Sequence, residues 1–118
     1  MASSLVLSSG GAVGTAGALR TEVDTLTMSS SAAALSGNLV ISNTGNLAVV
    51  SVSTASNVSL TSTGEITDAT SDTVLDISAA GLTLVAATGV TGLETQVTSL
   101  TVTTSSGDVS LVEADALT

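Results

Sequence analysis

The chain has 118 residues and a formal charge of −9, set by ten carboxylates and the single cation Arg20, and it has no Lys, His, Cys, Pro, Phe, Trp or Tyr. That composition leaves no imidazole base, no thiolate nucleophile, no Schiff-base or phosphate-loop lysine and no zinc ligand set of the usual kind. One cation does not neutralise a nucleic-acid backbone, and the acidic balance disfavours anionic membranes.

Apolar residues make up 43% of the chain and charged residues 9%, with a mean hydropathy of +0.63, the opposite of a disordered composition. The apolar runs, such as Leu47–Val50 and Val85–Ala87, fall far below the roughly 18–20 residues of a membrane-spanning helix. The opening Met1-Ala2-Ser3-Ser4 lacks the basic and apolar regions of a signal peptide. Without cysteine the chain is not a small disulfide-stapled domain; it suits either the cytosol or a large surface protein that crosses membranes unfolded. Without aromatics the core must come from Val, Leu, Ile and Ala. That supply suits a thin repeating column better than a round domain.

In chain order, apolar and hydroxyl residues alternate with period two. The stretches are Ser4–Ser8, Thr25–Ser29, Asn38–Ser42, Asn57–Thr61, Val74–Ser78, Gly81–Leu84, Ser99–Thr103 and Asp108–Leu111. Such alternation predicts half-buried strands, and Val and Thr are β-branched strand formers. Only Ala32–Leu35 could form a helical turn, and it is too short to matter. Turn signals lie between the strands: Ser9-Gly10-Gly11, Ser36-Gly37-Asn38, Asn43-Thr44-Gly45-Asn46, Ser62-Thr63-Gly64 and Ser105-Ser106-Gly107-Asp108. Gly10–Gly14 reads as one of these turns and not as a dinucleotide fingerprint, since no helix follows it.

Spacing of this kind fits a sandwich, a barrel or a solenoid. An internal repeat favours the solenoid. Leu19–Thr27 aligns with Leu93–Thr101 at an offset of 74, Ser36–Ile41 with Ser106–Leu111 at 70, and Leu5–Leu7 with Leu82–Leu84 at 77. The expectation is a single solenoid region of about one and a half long repeats, residues 5–81 and 82–118, cut from a longer array. The absence of Pro suits central strands that each need their N–H in a ladder. The expected core is Leu5, Leu7, Leu26, Met28, Leu39, Ile41, Val58, Leu60, Leu75, Ile77, Leu82, Leu84, Leu100, Val102, Val109 and Leu111.

Four runs carry a resemblance to a known family: Ser9–Gly14, Leu19–Thr27, Ser36–Ile41 and Asn57–Asp68. They resemble repeats of the filamentous-haemagglutinin-like exoproteins and related large bacterial adhesins. The resemblance spans nearly the whole chain and rests on composition and strand pattern. It implies an all-β, right-handed parallel β-helix (β-solenoid) serving as a stalk or adhesive fibre at the bacterial cell surface, with no catalytic residue, cofactor or metal to carry over.

The carboxylates Glu22, Asp24, Glu65, Asp68, Asp72, Asp76, Glu94, Asp108, Glu113 and Asp115 could supply a glycosidase pair, but solvated outward or turn positions account for them. Asp68, Asp72 and Asp76 recur every four residues, as Ca2+ ligands can, yet neither the glycine-rich nonapeptide of β-rolls nor an EF-hand loop is present. Arg20 and Glu22 would share a strand face and form a surface ion pair of little energetic weight. Thr25, Thr27, Thr101 and Thr103 form Thr-x-Thr pairs of the kind found on flat ice- or glycan-binding faces; the plain reading is a strand former on a wet face.

The expected function is therefore a non-enzymatic structural module of an extracellular filament or adhesin. A solenoid cut within its array exposes ladder edges, so its expected partner is a second copy stacked head to tail, and a glycan or host surface through the parent protein. The alternative is a solenoid that presents a hydroxyl-rich face to glycan or ice.

Overall fold

The computed structural model describes residues 2–7, 17, 19–28, 37–54, 56–69 and 75–114, with the side chains of 2, 3, 6, 7 and 28 outside the description. The strands are β1 (Ala2–Leu7), β2 (Leu19–Thr21), β3 (Val23–Met28), β4 (Leu39–Asn43), β5 (Leu47–Ser53), β6 (Asn57–Ser62), β7 (Ile66–Asp68), β8 (Ile77–Ala86), β9 (Val90–Thr104) and β10 (Val109–Glu113). All of them join one ten-stranded sheet, every pairing is parallel, and the sheet winds into the stacked coils of a β-solenoid. No helix is present among the described residues.

The coil is set by return to register. Val52 pairs with Ile77 twenty-five residues on, and Thr83 with Thr101 eighteen residues on. One face stacks β1, β3, β5, β7, the start of β9, and β10. A second face stacks β2, β4, β6, and the later halves of β8 and β9. A narrow third face joins Val52–Ser53, Ile77–Ala79 and Thr95–Val97, where β8 and β9 run on around the corner.

Because parallel ladders keep neighbours in register, inward residues form columns. The second face contributes Leu39–Val58–Leu82–Leu100 and Leu19–Ile41–Leu60–Leu84–Val102. The first contributes Leu47–Ile66–Val90–Val109 and Leu5–Leu26–Val49. Of the expected core, Leu26, Leu39, Ile41, Val58, Leu60, Ile77, Leu82 and Leu84 are buried, and Leu5, Leu100, Val102 and Leu111 are half-buried against them. Leu75 is half-buried. The side chains of Leu7 and Met28 lie outside the described ones.

Val109 departs from expectation, being 49% exposed. It does continue an aliphatic column, but β10 pairs only with β9 among the described residues, so no described coil covers its other side. The core also includes Val23, Leu47, Val49, Val52, Ile66, Ala86, Val90, Leu93 and Val97, which the alternation did not single out. The long sequence repeat does not follow the coil. Leu19 stands in the second-face column with Leu60 and Leu84, whereas its aligned partner Leu93 pairs with Leu111 on the first face. Leu39 and Val109, and Leu5 and Leu82, are likewise divided between the faces. The offset of 74 therefore spans coils plus a part of one, and equates one face with the other.

Turns between the second face and the first stack on one another. Asn43 is buried there. Its Oδ1 accepts from the Thr21 hydroxyl (2.6 Å) and the Val23 N–H (3.0 Å), and its Nδ2 donates to the Val23 carbonyl (3.1 Å). One amide thus closes the turn of the coil below while it also reaches the Asn46 carbonyl of its own turn (3.3 Å). Further along the stack, Gly107 has φ of 82°, and a Cβ there would strike the Thr88 carbonyl of the preceding turn. Only glycine allows the two turns to approach so closely. At the other corner, Asn38 Oδ1 accepts from the Ser56 hydroxyl and the Asn57 N–H, again tying one coil to the next.

Replacing Asn43 with Ala removes the acceptor of the buried Val23 N–H and a donor to the Val23 carbonyl. The expected loss is about 2–4 kcal/mol of unfolding free energy in urea. A loss below about 0.5 kcal/mol, the scale of an ordinary surface change, would remove Asn43 from the interactions that hold the turns together.

Candidate functional site

Two departures from the solenoid pattern meet at one place. The column Leu5–Leu26–Val49 ends in Asp68, the register partner of Val49 at the end of β7. On the next coil the pairing of β10 with β9 passes from Thr91 to Leu93 and skips Gly92, a bulge where Gly92 takes φ of 76°. A non-glycine residue adopts that conformation only with strain.

Asp76 sits just before β8. The Val52 N–H donates to its carbonyl (2.7 Å) and its own N–H donates to the Glu94 carbonyl (2.8 Å), so the ladder fixes its backbone between two coils. Its side chain is 1% exposed. The Glu94 N–H donates to Asp76 Oδ2 at 3.0 Å. Asp76 Oδ1 and Glu94 Oε2 are buried without a hydrogen-bond partner among the described residues. One carboxylate oxygen from each of Asp68, Asp76 and Glu94 lies within 4.8 Å of the other two, and Asp68 and Glu94 are half-buried.

Three carboxylates so close repel one another, by roughly 3–4 kcal/mol per ionised pair at an effective dielectric near 20. Burial pushes the Asp76 carboxyl up to about 7; the Glu94 N–H opposes this, while a hydrogen bond to the Glu94 side chain and the charges of Asp68 and Glu94 add to it. Asp76 Oδ2 has a donor in the Glu94 N–H, whereas Asp76 Oδ1 and Glu94 Oε2 have none among the described residues.

No family model matches the chain, and neither does any curated protein or solved structure. A buried acid with a raised pKa beside a carboxylate is the pattern of an acid–base pair, but retaining glycosidases space their carboxyl groups about 5–5.5 Å apart to flank a sugar. Here the oxygens are closer, and Asp76 has almost no surface for a glycosidic oxygen to reach. The arrangement instead suits sharing a proton or holding a cation.

The nearby Glu113 shows a satisfied version of such a carboxylate. It accepts from the Thr95 hydroxyl (2.6 Å) and the Val97 N–H (2.7 Å), stitching β10 onto β9.

Of the aspartates that recur every four residues, Asp68 and Asp76 do meet, and Asp72 lies outside the described residues, as does Asp115. The third member is Glu94. Its signal was the eighteen-residue step from Asp76, the same step that pairs β8 with β9. The remaining carboxylates do not join. Glu22, Asp24 and Asp108 are exposed, and Glu65 accepts from the Thr91 hydroxyl (3.2 Å).

Arg20 is exposed on β2, and Glu22 lies past the end of that strand, so the shared strand face expected of the two does not form. Thr25 and Thr27 are half-buried on the first face, whereas Thr101 and Thr103 are exposed on the second. The two Thr-x-Thr pairs therefore do not form one surface. Thr101 and Thr103 instead cap outward columns, Val40–Ser59–Thr83–Thr101 and Ser42–Thr61–Val85–Thr103.

The raised pKa has a definite sign in stability. Between about 4, the unfolded value, and about 7, the folded protein holds a proton that the unfolded chain releases. In chelator-containing buffer, unfolding free energy should therefore be highest on the acid side of this window and fall as pH rises through it, by up to about 1.4 kcal/mol per pH unit. Urea unfolding followed by far-UV circular dichroism at pH 4.5, 6 and 8 measures the slope. Asp76→Asn should flatten it relative to the wild type, and equal slopes in the two proteins would show that Asp76 does not carry it.

Proposed function

We propose that the chain is a non-enzymatic structural module of a bacterial surface filament or adhesin, in which coils of successive copies or repeats stack head to tail. The observation that carries this reading is the all-parallel stack of coils, whose last described strand pairs on one side only among the described residues. β10 pairs with β9 alone among the described residues, and Val109 and Val112 on it are 49% and 59% exposed. An unpaired strand edge backed by the end of an aliphatic column is a template for another coil. The contact is heterologous and does not close, so its product is a fibre. The mechanism is mechanical: backbone ladders run along the axis, aliphatic columns fill the interior, and Ser, Thr and acidic residues cover the outside. The family and the cell-surface location rest on the resemblance of Leu19–Thr27, Ser36–Ile41 and Asn57–Asp68 to adhesin repeats.

A second reading draws on the second face. Ser59, Thr83 and Thr101 follow one another along one outward column, with Ser42, Thr61 and Thr103 in the column beside it. Ordered hydroxyls at the strand spacing are what a glycan- or ice-binding face requires. Val40 and Val85 interrupt both columns, which is why the structural role is preferred.

Electron microscopy of the purified chain at neutral pH separates the readings. Filaments a few nanometres wide with an axial repeat that is a multiple of about 4.8 Å are expected, and Val109→Lys, which puts a charge on the open end of a column, should suppress them. A monodisperse monomer at every concentration tested would overturn the stacking and direct attention to the hydroxyl face.

A further inference from the structure

We propose that Asp68, Asp76 and Glu94 form a binding site for a hard divalent cation, Ca2+ in particular, which clamps two consecutive coils of the solenoid. Asp68 and Asp76 belong to one coil and Glu94 to the next. A cation held by all three therefore crosses the coil boundary at the corner where the first face passes into the third.

The ligand geometry fits. Ca2+ sits about 2.3–2.6 Å from its oxygens. Two oxygens on opposite sides of it can thus be up to about 4.6–5.2 Å apart, and the three carboxylate oxygens here lie within 4.8 Å of one another. The donors are all hard oxygens, and the chain has no His or Cys to favour a softer metal. Mg2+ demands near-octahedral geometry at shorter distances, so the irregular set offered by a solenoid corner suits Ca2+ better.

A second observation points to a ligand independently of the clustering. Asp76 is 1% exposed, yet its Oδ1 has no hydrogen-bond partner among the described residues, and neither does the buried Oε2 of Glu94. Buried carboxylate oxygens are costly to leave bare. The Glu94 N–H engages only Oδ2 of Asp76, which leaves Oδ1 for another partner. Asp68 and Glu94 are half-buried, so the site is reached from solvent on their side.

The cation also accounts for two departures from the solenoid pattern. Asp68 replaces an aliphatic residue in the column of Leu26 and Val49, and the bulge at Gly92 lies beside it, where a Cβ on Gly92 would come within 3.6 Å of the Asp68 Cβ. Neither feature serves a purely apolar core.

The test uses the full chain, stripped with chelator and dialysed at pH 7.5. Equilibrium dialysis with radioactive Ca2+ should find one equivalent bound per chain. Far-UV circular dichroism melts should show the midpoint rise by about 5 °C or more once Ca2+ exceeds its dissociation constant about 100-fold. Glu94→Gln and Asp76→Asn should both abolish binding and the shift, while Asp108→Asn, a remote exposed carboxylate, should keep them. Both site variants remove like-charge repulsion, so in chelator they should melt at or above the wild type, which separates loss of a ligand from loss of the fold. No bound Ca2+ in the wild type would overturn the proposal. So would an equal shift in wild type and Glu94→Gln, the mark of a general ionic effect. Should a site variant fail to fold, the stoichiometry of the wild type and of Asp108→Asn decides alone.

Discussion

Return to register is the constraint on which the rest of this molecule depends. Each strand must come back beside the strand of the previous coil with its N–H and C=O groups facing that strand's partners, because buried backbone groups left unpaired are costly. Everything else serves that return. Coil length varies between neighbouring pairs, and the variation is taken up at bulges within strands and at corners, where backbone spacing is held by side chains such as Asn43 and Asn38 or by the absence of one at Gly107. Once register is kept, columns of like residues follow without further specification, and a core of Leu, Ile and Val fills without any aromatic side chain.

The same constraint explains why polar side chains matter so much in so apolar a chain. A corner lies where strands end, so its backbone groups lack ladder partners and must find others. Asn43, Thr54 and Ser62 are buried at corners for this reason, each bonded to backbone of an adjacent coil. Glu113 does the same at the third face. Against this background Asp76 Oδ1 and Glu94 Oε2 are the exception: buried polar oxygens with no hydrogen-bond partner among the described residues. A site for a cation grows from the device that elsewhere closes a coil.

The second face was legible in the sequence because its strands alternate cleanly. Leu39 and Ile41, Val58 and Leu60, and Leu82 and Leu84 all point inward, with Val40, Ser59 and Thr83 between them less buried. The first face was not legible to the same degree. In β5 the outward positions hold Ala48 and Val50, so Leu47–Ser53 reads as an apolar run with no period. β7 has three residues, too few to show alternation. The repeat at an offset of 74 was a true likeness of sequence but not of coil position, since strands on both faces obey the same in–out rule and so resemble one another. For the candidate site, four-residue spacing drew attention to Asp68 and Asp76 and missed Glu94. Nearness across coils depends on the coil step, and that step emerges only once the strands are paired.

Parallel register itself can be tested with the cysteine-free chain as a blank background. Thr83 and Thr101 are register partners, and so are Val85 and Thr103. At the ordinary inter-strand spacing of about 4.8 Å, paired cysteines at such positions fall within the Cα separation of a disulfide. Oxidation of Thr83→Cys with Thr101→Cys, and of Val85→Cys with Thr103→Cys, should close an intramolecular bond in both double variants, and Val85→Cys with Ser99→Cys should stay reduced. An antiparallel arrangement around the Thr83–Thr101 pair would instead close the Val85–Ser99 bond and leave Val85–Thr103 open, and that result would contradict the stacked parallel coil.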